Sequence, residues 1–208
     1  MKDSVIFIDD QDEVRDTYKR RLSRLFRHGE VEVIALQPES NISNMLRQLD
    51  SIPWKVMYII DEDLKYIGEA DYTGSELIEK IRMVEREIPI YILTGDKTKI
   101  DNNLGDVEFV IDKADWNASA EEFKERFFRH IGRYNQIRNE REIRFDELIC
   151  KHIEKPLSGE ELDEFNVLCS QRGRSLTNES IISEADLQSL EDKLKILQEI
   201  NARLDAME

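Results

Sequence analysis

Five side chains able to do chemistry follow short apolar runs of the chain. Asp9 and Asp10 follow SVIFI, Asp61 follows WKVMYII, Thr94 follows YIL and Lys113 comes shortly after VEFVI. Two or three clustered carboxylates repel one another and hold a hard divalent cation such as Mg²⁺ through oxygen. One carboxylate can then attack phosphorus and form an acyl phosphate. A hydroxyl and an ammonium group can hold the remaining phosphoryl oxygens.

The elements that must position these groups alternate between strand and helix. Apolar runs predict strands at 4–9, 31–36, 54–60, 88–93 and 107–111, and helical spacing predicts helices at 12–26, 39–49 and 73–87. This alternation predicts parallel βαβ units, which right-handed crossovers turn into a doubly wound sheet. Ligands of such sheets bind beyond the carboxyl ends of the strands, where these side chains are expected to converge.

The remainder of the chain is predicted to be an all-helical extension. Ser119 with Glu122, and Ser158 with Glu161, are capping-box patterns that open helices at 120–154 and 158–170. Pro156 separates the two helices. A polar loop is expected at 171–180, followed by a last helix at 184–207.

The last predicted helix carries a heptad pattern. Its seam consists of Leu187, Leu190, Leu194, Leu197, Asn201 and Leu204. An asparagine at an a position favours a two-stranded coiled coil, so the pattern predicts a homodimer. Ile196 and Ile200 widen the apolar stripe, and the alternative is an ordinary amphipathic helix packed on its own domain.

Composition and charge narrow the class of protein. The chain has 208 residues with 45 acidic and 30 basic side chains, for a formal net charge of −15. Residues 160–208 alone hold twelve acids and five bases, so neither nucleic acid nor an anionic membrane is an expected partner. No apolar run approaches the about 20 residues of a membrane span, and the first residues are not those of a signal peptide. Cys150 and Cys169 lack metal-ligand spacing, and we expect a reduced, cytoplasmic protein.

Four motifs in order, VIFIDDQDEVR, YIIDEDL, YILTGD and FVIDKAD, carry a family resemblance. Residues 4 to about 132 resemble the receiver domain of two-component response regulators. The resemblance implies a five-stranded sheet of order 2-1-3-4-5 and Asp61 as the phosphoacceptor. It also implies that Asp9 and Asp10 hold Mg²⁺ with Asp61, and that the backbone carbonyl of Asp63 completes the metal site. Thr94 matches the switch hydroxyl, Lys113 the phosphate-binding lysine and Gly95 the small residue that leaves access to the phosphoryl site.

The chain departs from the usual receiver pattern at several positions. No Pro follows Asp61 closely, and Gly74 stands 13 positions after it rather than about eight, so the loop 62–73 is enlarged. Ala114 replaces the Pro that usually follows the lysine. The usual switch aromatic lies three residues before the lysine, where this chain has Val110. Phe109 lies one residue earlier and could take that place through a β-bulge; the alternative is that the coupling of an aromatic residue to the threonine is absent.

The sequence therefore predicts an atypical response regulator and not an enzyme. The predicted division is a receiver at 1–132, a helical linker at 133–157 and a helical tail at 158–208. A histidine kinase or phosphotransfer protein would phosphorylate Asp61, and the output would be dimerisation or binding of a downstream protein. The alternatives are a receiver-fold adaptor that is never phosphorylated and a DNA-binding transcription regulator. A haloacid-dehalogenase-type phosphatase is disfavoured because its acidic pair follows the lysine strand, whereas Asp9 and Asp10 precede it.

Overall fold

The computed structural model describes residues 2–26, 31–97, 100 and 107–172. The chain divides into two units, 1–176 and 177–208, and all described residues belong to the first. The strands are β1 Asp3–Ile8, β2 Val31–Leu36, β3 Lys55–Ile60, β4 Ile90–Thr94 and β5 Phe109–Asp112; the helices are α1 Asp12–Leu25, α2 Ile42–Asp50, α3 Gly74–Val84, α4 Ala120–Glu154 and α5 Gly159–Arg172. The predicted helix at 184–207, with its heptad seam, lies outside the described residues.

The five strands form one parallel sheet of order β2-β1-β3-β4-β5. This confirms the predicted doubly wound sheet, and α4 and α5 make the part that follows it helical. Because all strands run the same way, their carboxyl ends meet at one edge of the sheet.

The two faces of the sheet each carry a core. Even-numbered strand residues such as Ile6, Tyr58 and Ile92 pack with α2 and α3. Odd-numbered ones such as Phe7 and Tyr91 pack with α1 and the first turns of α4. A strand buried on both faces has no polar side to expose, which explains the uninterrupted apolar run that precedes Asp61.

The helix ends differ in part from the sequence prediction. Ser158 and Glu161 form the predicted capping box at α5, since each backbone N–H is bonded by the other side chain. The predicted box at α4 is wrong: Ser119 is the N-cap but makes no side-chain capping bond. A capping box is formed instead by Thr73 and Glu76 at α3, where it fixes the end of the enlarged loop.

Helix α4 is 35 residues long, or about 50 Å, and continues without a break past residue 132. Beyond the sheet it pairs with α5, where Phe145 stacks on Phe165 with ring centroids 5.3 Å apart. The guanidinium of Arg144 donates to both carboxylate oxygens of Glu164 at 2.9 and 2.7 Å. Cys150 and Cys169 are free and exposed on these two helices. None of the described helices is both long enough and apolar enough to cross a membrane.

Candidate phosphoacceptor and cation site

The acidic residues predicted to act together lie together at the carboxyl edge of the sheet. Asp9 and Asp10 follow β1, and Asp61 follows β3. One carboxylate oxygen from each lies within 4.8 Å of the others. All three residues are buried, with at most 2 % of their surface exposed. Three carboxylates this close and this dry cannot all stay charged without a compensating cation.

Lys113 supplies part of that compensation. Its Nζ lies 3.0 Å from Asp9 Oδ2 and 3.1 Å from Asp61 Oδ2. Two hydrogen bonds hold the backbone of Lys113. The Lys113 N–H donates to the Thr94 carbonyl at 2.7 Å, and the Lys113 carbonyl accepts from the Tyr18 hydroxyl at 3.1 Å. The amine is thereby fixed between the ends of β1 and β3.

Burial and mutual repulsion change the titration of these groups. Burial raises the pKa of Asp61 from 3.8 to about 6, and the Asp9 carboxylate adds to this while Lys113 opposes it. Burial likewise raises the pKa of Asp9, against the attraction of Lys113. Burial alone would lower the pKa of Lys113, but the carboxylates of Asp61 and Asp9 outweigh it and raise that pKa. The lysine therefore stays charged while Asp61 titrates close to neutrality.

Thr94 is the last residue of β4 and is buried at the same edge. Its Oγ1 accepts a hydrogen bond from the backbone N–H of Asp96 at 3.1 Å. A Cβ built on Gly95 would meet no atom of the described part of the chain within 4 Å. Among the described residues, the side-chain position of residue 95 is therefore open, next to Thr94 in the chain.

Phe109 does not take the place of the usual switch aromatic. The β4–β5 register is regular from Tyr91 opposite Phe109 to Thr94 opposite Asp112, so the β-bulge that this would require is absent from the strand pair. Val110 packs on the α2–α3 face of the sheet. Phe109 is partly exposed, and the guanidinium of Arg126 lies 4.3 Å from its ring centroid.

The enlarged loop returns to Asp61 at Gly74. A Cβ on Gly74 would lie 2.2 Å from the backbone oxygen of Asp61, far inside van der Waals contact. The Gly74 N–H donates to the Glu62 carbonyl at 3.0 Å, and the buried Glu62 carboxylate accepts from Ser75 Oγ at 2.6 Å. Gly74 therefore matters because the start of α3 packs directly on the backbone that carries Asp61. Asp63 follows Glu62 at the start of the loop and is half-buried.

Gly74→Ala is expected to destabilise the fold by about 1–3 kcal/mol, because the added methyl must displace backbone. Gly74 is the first residue of α3 and its φ is not positive, so its backbone conformation by itself would accept alanine. The expected loss of stability is therefore a test of the close approach. Urea unfolding measures the difference. Gly95→Ala is the matched control, and we expect it to change stability by less than about 0.5 kcal/mol. Equal stability of the two variants would contradict the close approach.

The acidic cluster fits a divalent cation by its donor chemistry. Asp10 Oδ1 is buried, and no hydrogen-bond donor among the described residues contacts it. A buried, unpaired carboxylate oxygen costs free energy unless something of positive charge meets it. Asp9, Asp10 and Asp61 are therefore the residues suited to hold Mg²⁺.

Three contributors to this site are not predicted by the sequence patterns. Tyr18 anchors Lys113, Gly74 abuts Asp61, and the Ile67 N–H donates to Asp10 Oδ2 at 2.8 Å. The helical spacing places Tyr18 only in the apolar stripe of α1. A tyrosine hydroxyl in an apolar stripe needs a hydrogen-bond partner, and this need is the feature of the sequence that could have pointed to Tyr18.

Asp61→Asn is expected to stabilise the cation-free protein. A folded-state pKa of about 6 against an unfolded value of 3.8 means that Asp61 destabilises the fold above pH 6, by about 3 kcal/mol at most. The destabilisation that ionised Asp61 causes is therefore lost as the pH falls through 6 towards 3.8, and the free energy of unfolding of the wild type rises by the same amount. Urea unfolding in chelator should show the variant more stable at pH 7.5, with the advantage roughly halved at pH 5. A variant that is less stable than wild type at pH 7.5 would contradict the burial penalty.

No protein-family model and no curated protein matches the chain. Solved structures are similar to it at low identity. A CheY-like receiver domain from Methylobacillus flagellatus is 17% identical, with a TM-score of 0.48, covering 61% of this chain and 99% of its own. TrrA of Thermotoga maritima, in complex with Mg(2+)-BeF, is 19% identical, with a TM-score of 0.47 and coverage of 60% and 98%. In complex with the histidine kinase ThkA, the same regulator is 17% identical, with a TM-score of 0.47 and coverage of 61% and 98%. These neighbours are response-regulator receiver domains. The sequence motifs resemble this same family.

Proposed function

We propose that this chain is an atypical response-regulator receiver in which Asp61 accepts a phosphoryl group. The observation that supports this best is the geometry at the end of β3. Asp61 lies within a buried cluster of three carboxylates, and its Oδ2 is 3.1 Å from the Lys113 amine. A solvated surface acid would have neither the raised pKa nor the bridging lysine.

In the proposed reaction a carboxylate oxygen of Asp61 attacks phosphorus and forms a new O–P bond. The bond between phosphorus and the donor nitrogen of a phosphohistidine breaks, and that nitrogen keeps the electron pair. Asp61 is the proposed nucleophile; it follows the central strand β3, which lies between β1 and β4. Lys113 is released from part of its pairing and binds a phosphoryl oxygen, and the Thr94 hydroxyl can bind another.

Mg²⁺ is the proposed cofactor. Asp9, Asp10 and Asp61 would hold it through carboxylate oxygen, with the backbone carbonyl of Asp63 as a further ligand. When bound, the cation offsets the negative charge of the incoming phosphoryl group. Asp9 is also held by the Gln11 N–H on Oδ1 at 2.9 Å, which limits its freedom to turn away from the cluster.

A histidine kinase or phosphotransfer protein is the proposed phosphodonor, and the proposed output is binding of a downstream protein or dimerisation. The proposed division is a receiver at 1–132, a linker at 133–157 and a tail at 158–208. Helix α4 runs through the first of these boundaries, so a change at the sheet could pass to α5 along one rigid element. The seam proposed for dimerisation lies outside the described residues.

Incubation with acetyl phosphate and Mg²⁺ tests the proposal. Intact-mass spectrometry should show the addition of one phosphoryl group, and hydroxylamine should remove it because acyl phosphates are labile to that nucleophile. Retention of an unmodified mass in the presence of both reagents would favour the adaptor that is never phosphorylated.

A further inference from the structure

The two oxygens of Asp10 have different surroundings. Oδ2 accepts a hydrogen bond of 2.8 Å from the backbone N–H of Ile67, which lies in the enlarged loop. Oδ1 is buried and meets no hydrogen-bond donor among the described residues. Asp10 is thus held at one oxygen and left with the other free to bind a cation.

The loop holds the Ile67 N–H in place by a tight turn. The Gly68 N–H donates to the Lys65 carbonyl at 3.0 Å, and Gly68 has a φ of 83°, a conformation that suits glycine. On either side of the turn, Leu64 and Tyr72 are buried in the core under the sheet edge. The tip is therefore tied to the core at both ends.

The side chains at the tip of the loop are exposed to solvent. Tyr66 is 71 % exposed and Ile67 is 50 % exposed. The described contact with Asp10 is made by the backbone of Ile67 and not by its side chain. A change of side chain that keeps the N–H should leave this contact intact.

We infer that the Ile67 N–H is a positioning group for Asp10, so that the turn 65–68 controls the affinity of the acidic cluster for a divalent cation. This inference rests on the proposed function, since it concerns the same site. Hydrogen bonds that orient a metal-binding carboxylate typically change affinity by about 10–100-fold. Since such coupling is reciprocal, cation binding also strengthens the Ile67 contact by the same factor.

Ile67→Pro and Ile67→Ala separate the N–H from the side chain. Titration calorimetry with Mg²⁺ alone should give a Kd about tenfold weaker for Ile67→Pro than for wild type. Ile67→Ala, which keeps the N–H, should bind like wild type. Equal Mg²⁺ affinity in folded Ile67→Pro and wild type would overturn the inference, and so would equal weakening in both variants.

Gly68→Ala is the second variant if Ile67→Pro does not fold. It keeps every N–H but strains the turn, because a φ of 83° disfavours a side chain. The new Cβ would meet no atom of the described residues within 4 Å, so the strain comes from the backbone alone. We expect its Mg²⁺ affinity to fall in the same direction, and unchanged affinity would count against the inference.

Hydrogen exchange of the wild-type protein provides a readout independent of substitutions. Saturating Mg²⁺ should slow exchange of the Ile67 amide by up to about tenfold, in line with the reciprocal coupling. If bound Mg²⁺ does not change the exchange rate of the Ile67 amide, the inference is overturned while the proposed function stays intact. A wild-type protein that binds no Mg²⁺ at all would instead remove the proposed function and the inference with it.

Discussion

Asp61→Asn is expected to abolish formation of an acyl phosphate, whereas Asp63→Asn retains it. The amide is nearly the same size as the carboxylate but lacks the nucleophilic charged oxygen. Asp61 lies in the buried cluster with its Oδ2 against Lys113. The role proposed for Asp63 belongs to its backbone carbonyl, which the substitution keeps.

Acetyl phosphate with Mg²⁺, followed by intact-mass spectrometry, measures this difference, and binding of beryllofluoride offers a second readout. Asp63→Asn is the matched control because it removes the same charge two residues away. Equal modification of wild type and Asp61→Asn would show that another group accepts the phosphoryl group. Loss of modification in both variants would place the Asp63 side chain in the site.

Mg²⁺ is expected to stabilise the folded protein substantially. Asp9, Asp10 and Asp61 repel one another, and a cation that binds only the folded state relieves this. At 100-fold excess over its Kd the cation should raise the free energy of unfolding by about 2.7 kcal/mol. Urea unfolding with Mg²⁺ and with a chelator measures the effect.

Two comparisons sharpen this test. Asp10→Asn should lose most of the Mg²⁺-dependent stabilisation, because Oδ1 of Asp10 is a buried carboxylate oxygen of the cluster that meets no hydrogen-bond donor among the described residues. In the wild type the stabilisation should shrink as pH falls below 6, because protons then compete for Asp61, whose pKa is about 6. An absence of any Mg²⁺ effect at pH 7.5 would favour the adaptor that is never phosphorylated.

The sequence alone determined the frame of this site. Apolar runs without a polar face require strands covered on both sides, and alternation with helices requires parallel strands. Parallel strands bring their carboxyl ends to one edge, so the order of the elements is enough to place Asp9, Asp61 and Lys113 together. Element ends were less well determined: β4 begins at Ile90 and not at 88, because Pro89 has no N–H to donate to the ladder.

Only the tertiary structure decided which distant groups contact the site residues at the carboxyl edge of the sheet. The Ile67 N–H meets Asp10 across 57 positions of chain, and Tyr18 meets Lys113 across 95. The loop 62–73 has no periodic pattern, so nothing local predicts which of its backbone groups faces the carboxylates. Gly74 is required by a backbone contact that exists only after α3 has packed against the end of β3. Local pattern specifies which elements form and in what order, whereas contacts between distant backbone groups depend on the packing of the whole domain.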